Sequence, residues 1–337
     1  MRGGSPAGVA LHGSGIAAAA FVHVLAGENF PVFGDGGQGA YGGSAPVVML
    51  GEQAVGLLSD LFRKPLFSAA HRIDRRIVRW GGGDPAVVPH RALAISGVDL
   101  AAALPQPTLQ AGEAAFTVHT VPPFPQEAML RFGSRPAAAA PVQLAPTADT
   151  HAALVEATEA GWLFLIPQGQ GAGWLLSVGG DPDALLASAP LVASSVASLS
   201  PVVARFETAP RMLQVLVGED FLALGHHALA FDPICGDGTA TAARAAILAA
   251  AVVAGIAEGQ DADLLLGHYN AMMVAAMRRH LQVSLPFYRS GGGTTWWLAQ
   301  ADAVAEGHAW CTRFLARVGD PRFVLQGNRL IPREKAA

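Results

Sequence analysis

The chain has 337 residues, a formal net charge of −4, 51% hydrophobic and only 14% charged residues, and a mean hydropathy of +0.35. Ordinary domains carry about 25% charged residues, so this composition argues against a disordered chain, and its acidic balance argues against a nucleic-acid binder. At about 100–200 residues per domain the length predicts roughly two domains, with ample material for a large core.

The longest uncharged apolar run, Ala245–Ala257, has 13 residues. A spanning helix needs about 18, so no membrane span is expected. The first residues imitate a signal peptide only faintly, because His12 and several glycines interrupt the apolar stretch. Two cysteines, Cys235 and Cys311, cannot build a disulfide framework and suit a reducing cytoplasm.

In chain order, residues 8–11 predict a strand, 16–26 an alanine-rich helix and 31–34 a second short strand. A glycine-rich loop follows, then an extended lead-in and helix over 47–62. Residues 77–80 and 86–88 flank Gly-Gly-Gly-Asp-Pro as a hairpin, and 98–104 suggest a short helix. From 105 to 150 prolines cluster between short β-like stretches, which marks a second, sheet-forming region. Residues 162–166 and 174–178 read as another hairpin, 182–198 as helical, and 222–224 as the end of a strand. Long helices are predicted over 238–257, 261–282 and 296–317.

Gly13-Ser14-Gly15-Ile16-Ala17-Ala18 fits G-x-G-x-x-A between a strand and a helix. Gly13 permits the tight turn, Gly15 lets a pyrophosphate approach the backbone, and Ala18 lets the helix pack closely on the sheet. The helix N-terminus offers free N–H groups to the phosphates. Asp35, 17 residues after Ala18, stands where an acid would bind a ribose hydroxyl pair. These residues together predict a dinucleotide site.

The second motif runs from Gly225 through His226, His227, Asp232, Pro233, Cys235, Gly236, Asp237 and Gly238 to Thr239. A strand enters it and a helix of small residues leaves it. It resembles the C-terminal flavin motif of the superfamily of FAD-dependent monooxygenases and flavin-dependent halogenases. There a strand ends in Gly-Asp, a proline follows eight residues after the glycine, and a glycine turn opens a helix. Pro233 is eight after Gly225, and Gly236-Asp237-Gly238 supplies the turn. The helix start can stabilise negative charge on a reduced flavin. The chain departs from the pattern at His226, where the family has an acid. No third ligand converges on the histidine pair, so no metal is expected. Cys235 reads as a packed small hydrophobe rather than a redox thiol.

Gly161-Trp162-Leu163-Phe164-Leu165-Ile166-Pro167 resembles the halogenase W-x-W-x-I-P signature, with Phe164 in place of the second tryptophan. Strand alternation puts Trp162, Phe164 and Ile166 on one face, against a core or a substrate pocket. Halogenases of this type need a lysine near the substrate. The chain has two, Lys64 and Lys335, in no recognisable context. The resemblance is broadest to flavoprotein monooxygenases of tryptophan-derived quinone cofactor maturation, through residues 70–80, 89–96, 161–167, 231–248 and 287–297.

The resemblance implies an α/β fold with a Rossmann-like FAD-binding domain, here residues 1–104 with 205–260. It implies an inserted β-rich substrate domain over 105–204 and a C-terminal helical region over 261–337. It implies FAD, O2 and either an external reductant or NAD(P)H. The expected activity is hydroxylation of an aromatic ring, small or a peptidyl tryptophan, through a flavin C4a-hydroperoxide. A halogenase, or a flavin-fold binding module without turnover, stays open as an alternative. No catalytic residue is fixed, since the flavin carries the hard step. His90, His226 and His227 are candidate orienting groups. Trp296 and Trp297 read either as a cap on a substrate mouth or as a core anchor. Arg72, Arg75, Arg76 and Arg79 read either as an anion-attracting cluster or as a solvated strand edge.

Overall fold

A computed structural model of the chain describes residues 8–34, 46–105, 109–121, 126–236 and 238–333. Asp35 and Asp237, both expected at the cofactor site, lie outside the described residues.

A four-stranded parallel sheet has the order β15 (Phe221–Ala223), β6 (Thr117–His119), β1 (Val9–His12), β2 (Val32–Phe33). The β1–α1–β2 crossover runs through α1 (Ile16–Gly27). Behind the sheet α1 packs on α6 (Gly238–Ala257). Both helices are rich in alanine, the best helix former, and both are largely buried.

The nine-stranded sheet is mixed. Its order is β12 (Val196–Leu199), β8 (Pro136–Leu144), β11 (Ala172–Val178), β10 (Gly161–Gly169), β9 (Ala152–Thr158), β4 (His71–Arg79), β5 (Ala86–Ser96), β3 (Val47–Gly51), and β13 (Ala204–Glu207) also pairs β8. β4 and β9 run parallel, with Arg76 opposite Ala153. A three-stranded sheet joins β16 (Leu229–Ala230), β14 (Arg211–Leu213) and β7 (Met129–Arg131). The hairpin of β17 (Phe323–Gln326) and β18 (Arg329–Pro332) had no signal in the sequence reading.

The remaining helices are α2 (Glu52–Phe62), α3 (Gly97–Ala103), α4 (Pro182–Ala187), α5 (Pro190–Ala193), α7 (Ala262–Ser290) and α8 (Thr295–Val318). α7 and α8 form a packed pair. The helical reading of 182–198 needs correction. Pro190 starts a new short helix at its first position, and the chain is extended by Val196.

Hydrogen bonding does not follow the boundary expected at 104/105. β3, β4 and β5 pair within the large sheet, and β6 sits inside the small parallel one. Register decides this, since β4 finds the edge of β9 and β6 finds β1. No local pattern in the sequence specifies such partners.

Among the described helices α6 is long and apolar enough to cross a membrane by composition, because it extends N-terminally past Arg244. Most of it is buried, packed against α1, α2 and α7.

Candidate functional site

The β1–α1 turn is built as its residue types require. Gly13 and Gly15 have φ of +103° and +104°, a region that disfavours side chains. At Gly13 a Cβ would also lie 2.5 Å from Thr120 Oγ1 and 2.9 Å from the Val121 nitrogen. At Gly15 a Cβ would meet nothing within 4 Å, so the backbone there faces open space. Thr120 Oγ1 donates to the carbonyls of His12 (3.3 Å) and Ser14 (3.2 Å), which fixes the turn. No side chain caps α1 and no acid stands in its first turn, so its first N–H groups are free for an anion. Ala18 is 1% exposed against the core.

The second motif meets the first in space. Gly225, with φ +81°, lies so close to α1 that a Cβ would be 3.4 Å from the Ala17 Cβ. From there the chain passes His226, His227 and β16 to Asp232. Residues Pro233–Cys235 make a single 3-10 turn, and Gly236 ends it in the left-handed region at φ +65°. α6 then begins at Gly238.

A cleft of about 390 Å³ joins the two motifs. Ser14, Gly15, Ile16 and Ala17 line one part, and Gly225, His226, His227, Pro233, Gly238 and Thr239 line the other. A second cavity of about 260 Å³ lies beyond the turn, with Phe164, Ile166, Trp174, Arg76 and Asp232 in its wall. Pro233, Gly238 and Thr239 border both spaces.

His226 touches solvent within the cleft, yet the concave walls, with His227 and Arg211 nearby, lower its pKa to about 4. It is therefore neutral at pH 7 and offers a donor and an acceptor. His227 is also lowered, by burial and then by Arg211. His90 borders neither cavity. Burial, and then Arg76, lower its pKa.

Asp232 is the centre of a buried network. Its Oδ1 accepts from the Ile234 N–H (2.9 Å), which caps the 3-10 turn. Its Oδ2 accepts from Arg135 Nη1 (3.1 Å) and from the Tyr288 hydroxyl. The Asp232 N–H donates to His280 Nε2 (3.0 Å), and Phe231 stacks on the His280 ring at 4.4 Å. The Arg135 guanidinium lies over the Tyr288 ring at 4.0 Å. Burial pushes the Asp232 carboxyl upward against the pull of Arg135 and its donors. Burial also raises the Tyr288 phenol and lowers His280 to about 3.

β10 shows the expected alternation. Trp162, Phe164 and Ile166 belong to the main core, whereas Leu163 and Leu165 face a second cluster under α4 and α5. Phe164 and Ile166 border the second cavity. Trp162 stands behind that wall, fully buried, with its ring 6.3 Å from Trp80. Trp297 is a core anchor: it is fully buried, its Nε1 donates to the Thr158 carbonyl (2.8 Å), and Gly291 and Gly292 pack on its ring.

The four arginines of β4 separate by strand phase. Arg75 pairs with Asp149 and Arg79 with the buried Glu156 (3.3 Å), on the face that also carries Ile77. Arg72 is exposed. Arg76, on the opposite face, points into the second cavity.

Arg135, Tyr288 and His280 carry no site signal in the sequence, whereas Arg76 belongs to the arginine cluster read there as anion-attracting or as a solvated edge.

The arrangement of parallel sheet, large mixed sheet and C-terminal helix pair is the fold of flavin-dependent halogenases and of a tryptophan dihydroxylase. One such structure is the peptidyl tryptophan dihydroxylase QhpG, essential for tryptophylquinone cofactor biogenesis, at 18% identity and TM-score 0.72, covering 98% of this chain and 86% of that one. Another is CmlS, a flavin-dependent halogenase, at 15% identity and TM-score 0.73, covering 94% of this chain and 72% of that one. A third is the myxobacterial chondrochloren halogenase CndH, a variant of FAD-dependent halogenases, at 12% identity and TM-score 0.68, covering 92% and 90%. At these identities the likeness is one of fold. No protein-family model and no curated protein matches the chain.

Proposed function

We propose that the chain is an FAD-dependent oxidoreductase, acting as a monooxygenase on an aromatic substrate that is either small or carried on a partner peptide. One observation carries this reading: the cleft between the two glycine motifs shares its wall, Pro233, Gly238 and Thr239, with an aromatic-lined cavity.

The residues present fit the cofactor. Gly15 leaves open space before an uncapped helix start, the place for a pyrophosphate. Gly236 and Gly238 let a planar ring approach the backbone at the start of α6. His226 replaces the usual acid with a neutral hydrogen-bonding ring. Asp35 and Asp237 complete the proposed set. Bound flavin would supply two-electron reduction and reaction with O2.

The chain's own part is positioning and exclusion of water. Phe164, Ile166 and Trp174 would hold an aromatic ring against the shared wall. The Arg135–Asp232–Tyr288 network would keep the 3-10 turn rigid. The electron donor is an external reductant or NAD(P)H.

A halogenase is the second reading, favoured by the fold likeness to CmlS and CndH. It ranks lower because the cation in the second cavity is Arg76 rather than a lysine, and Lys64 is exposed just past α2. We assign the cofactor to the parallel sheet with α1 and α6, and the substrate to the large sheet. We further propose a cytoplasmic location, which two cysteines too few for a disulfide framework suit.

The test is the absorption spectrum of the purified protein, followed by FAD titration and then O2 uptake with reductant and aromatic substrates. Yellow protein, or FAD bound at micromolar concentration, is expected. Protein that stays colourless and empty at saturating FAD overturns the reading.

A further inference from the structure

We infer that Arg76 is the anion anchor of the second cavity and selects substrates that join an apolar aromatic body to a carboxylate. The inference rests on the proposed function only in taking that cavity as the substrate site.

Four observations carry it. Arg76 sits in the wall of a cavity otherwise lined mainly by apolar groups, with Phe164, Ile166, Trp174 and Leu176 around it. Its guanidinium lies 5.6 Å over the Phe164 ring, and its Nη2 is so close to Gly236 that a Cβ there would be 3.0 Å away. Its Nε is buried without a hydrogen-bond partner. Among the described residues it makes no ion pair, although Arg75 and Arg79 on the same strand both do.

Among the described residues of this wall the carboxylate is Asp232, and it is committed to Arg135, Tyr288 and the Ile234 N–H. Burial of Arg76 lowers its pKa from the ordinary value, with Cys235 opposing. A guanidinium stays charged at neutral pH all the same. A largely buried cation with an open donor and no ion pair among the described residues is costly to keep, and its fork geometry matches a carboxylate bidentately. An aromatic carboxylate entering this cavity would put its ring against Phe164 and Ile166 and its anion on the guanidinium.

The probes are 2-naphthoate and its neutral amide, 2-naphthamide, titrated by calorimetry into wild type, Arg76→Met and Arg76→Lys. Wild type is expected to bind the acid at least tenfold more tightly than the amide. Arg76→Met should lose that preference while keeping its affinity for the amide, and Arg76→Lys should keep part of it. Arg76→Met should also unfold no earlier than wild type, since it removes an unpaired buried charge. Equal affinity for the two probes in wild type, including no binding of either, overturns the inference, as does a preference retained in Arg76→Met. If Arg76→Met does not fold, Arg76→Gln takes its place under the same criteria. FAD titration of the same proteins separates the two claims. FAD bound without acid preference sinks the anchor alone, and acid preference without FAD binding sinks the cofactor reading alone.

Discussion

Arg135 and Asp232 are 97 positions apart in the chain and 3.1 Å apart in space, and neither side chain reaches solvent. The pair ties the residue just before β8 to the turn that opens α6. Removing one partner leaves the other buried without its counter-charge, which typically costs about 3–5 kcal/mol. Arg135→Met is therefore expected to lower stability by that order in urea denaturation. Arg135→Met with Asp232→Asn should recover part of the loss. A double variant no better than the sum of its singles would show that the pair is not coupled.

The two glycines of the first turn separate structure from binding. Gly13→Ala brings a clash with Thr120 and Val121 as well as a strained φ, whereas Gly15→Ala brings the strained φ alone. Left-handed strain costs about 1–3 kcal/mol. Gly13→Ala should lower the thermal midpoint more than Gly15→Ala. Gly15→Ala should weaken FAD binding at least tenfold, read by absorbance titration. Equal midpoints, or unchanged FAD affinity in Gly15→Ala, would contradict this.

His280 makes stability depend on pH with a definite sign. Its folded pKa is about 3, below the ordinary 6.5, because it is buried and the Arg135 guanidinium lies nearby. Between those values the unfolded chain binds a proton that the folded chain refuses. Stability from this site is thus fully present above 6.5 and falls as the pH drops, by up to about 1.4 kcal/mol per pH unit. His280→Gln, whose amide oxygen can accept the same N–H, should reduce the slope by close to one proton. Denaturation at pH 7, 6 and 5 measures it.

His226 predicts a flat profile. With a pKa of about 4 it is neutral throughout pH 5.5–8. FAD affinity should not change with its titration over that range. A step in affinity near pH 6.5 that disappears in His226→Asn would show that the ring titrates normally.

Much of the frame was legible in the sequence because it is written locally. The glycine turn after β1, the helix of small residues at 238–257 and the one-face set Trp162, Phe164 and Ile166 follow from residue type and period. The partners of strands were not legible. Nothing local in residues 71–79 says that they pair with 152–158. The charged network was hidden for the same reason, since Asp232, Tyr288 and His280 come from separate elements and meet only on folding. The arginines of β4 were visible as a cluster, but only strand phase shows which one turns inward. Of the expected substrate-pocket set, Trp162 supports the wall from behind.

The packing of α1 on α6 has one more consequence. Each helix presents its N-terminal end to the same cleft, one at Gly15–Ala17 and the other at Gly238–Thr239. Two helices held face to face by alanines keep a fixed offset, so their ends work as the jaws of a caliper. The spacing of the two helix starts across the cleft is then fixed by small side chains packed between the helices rather than by the loops at its mouth.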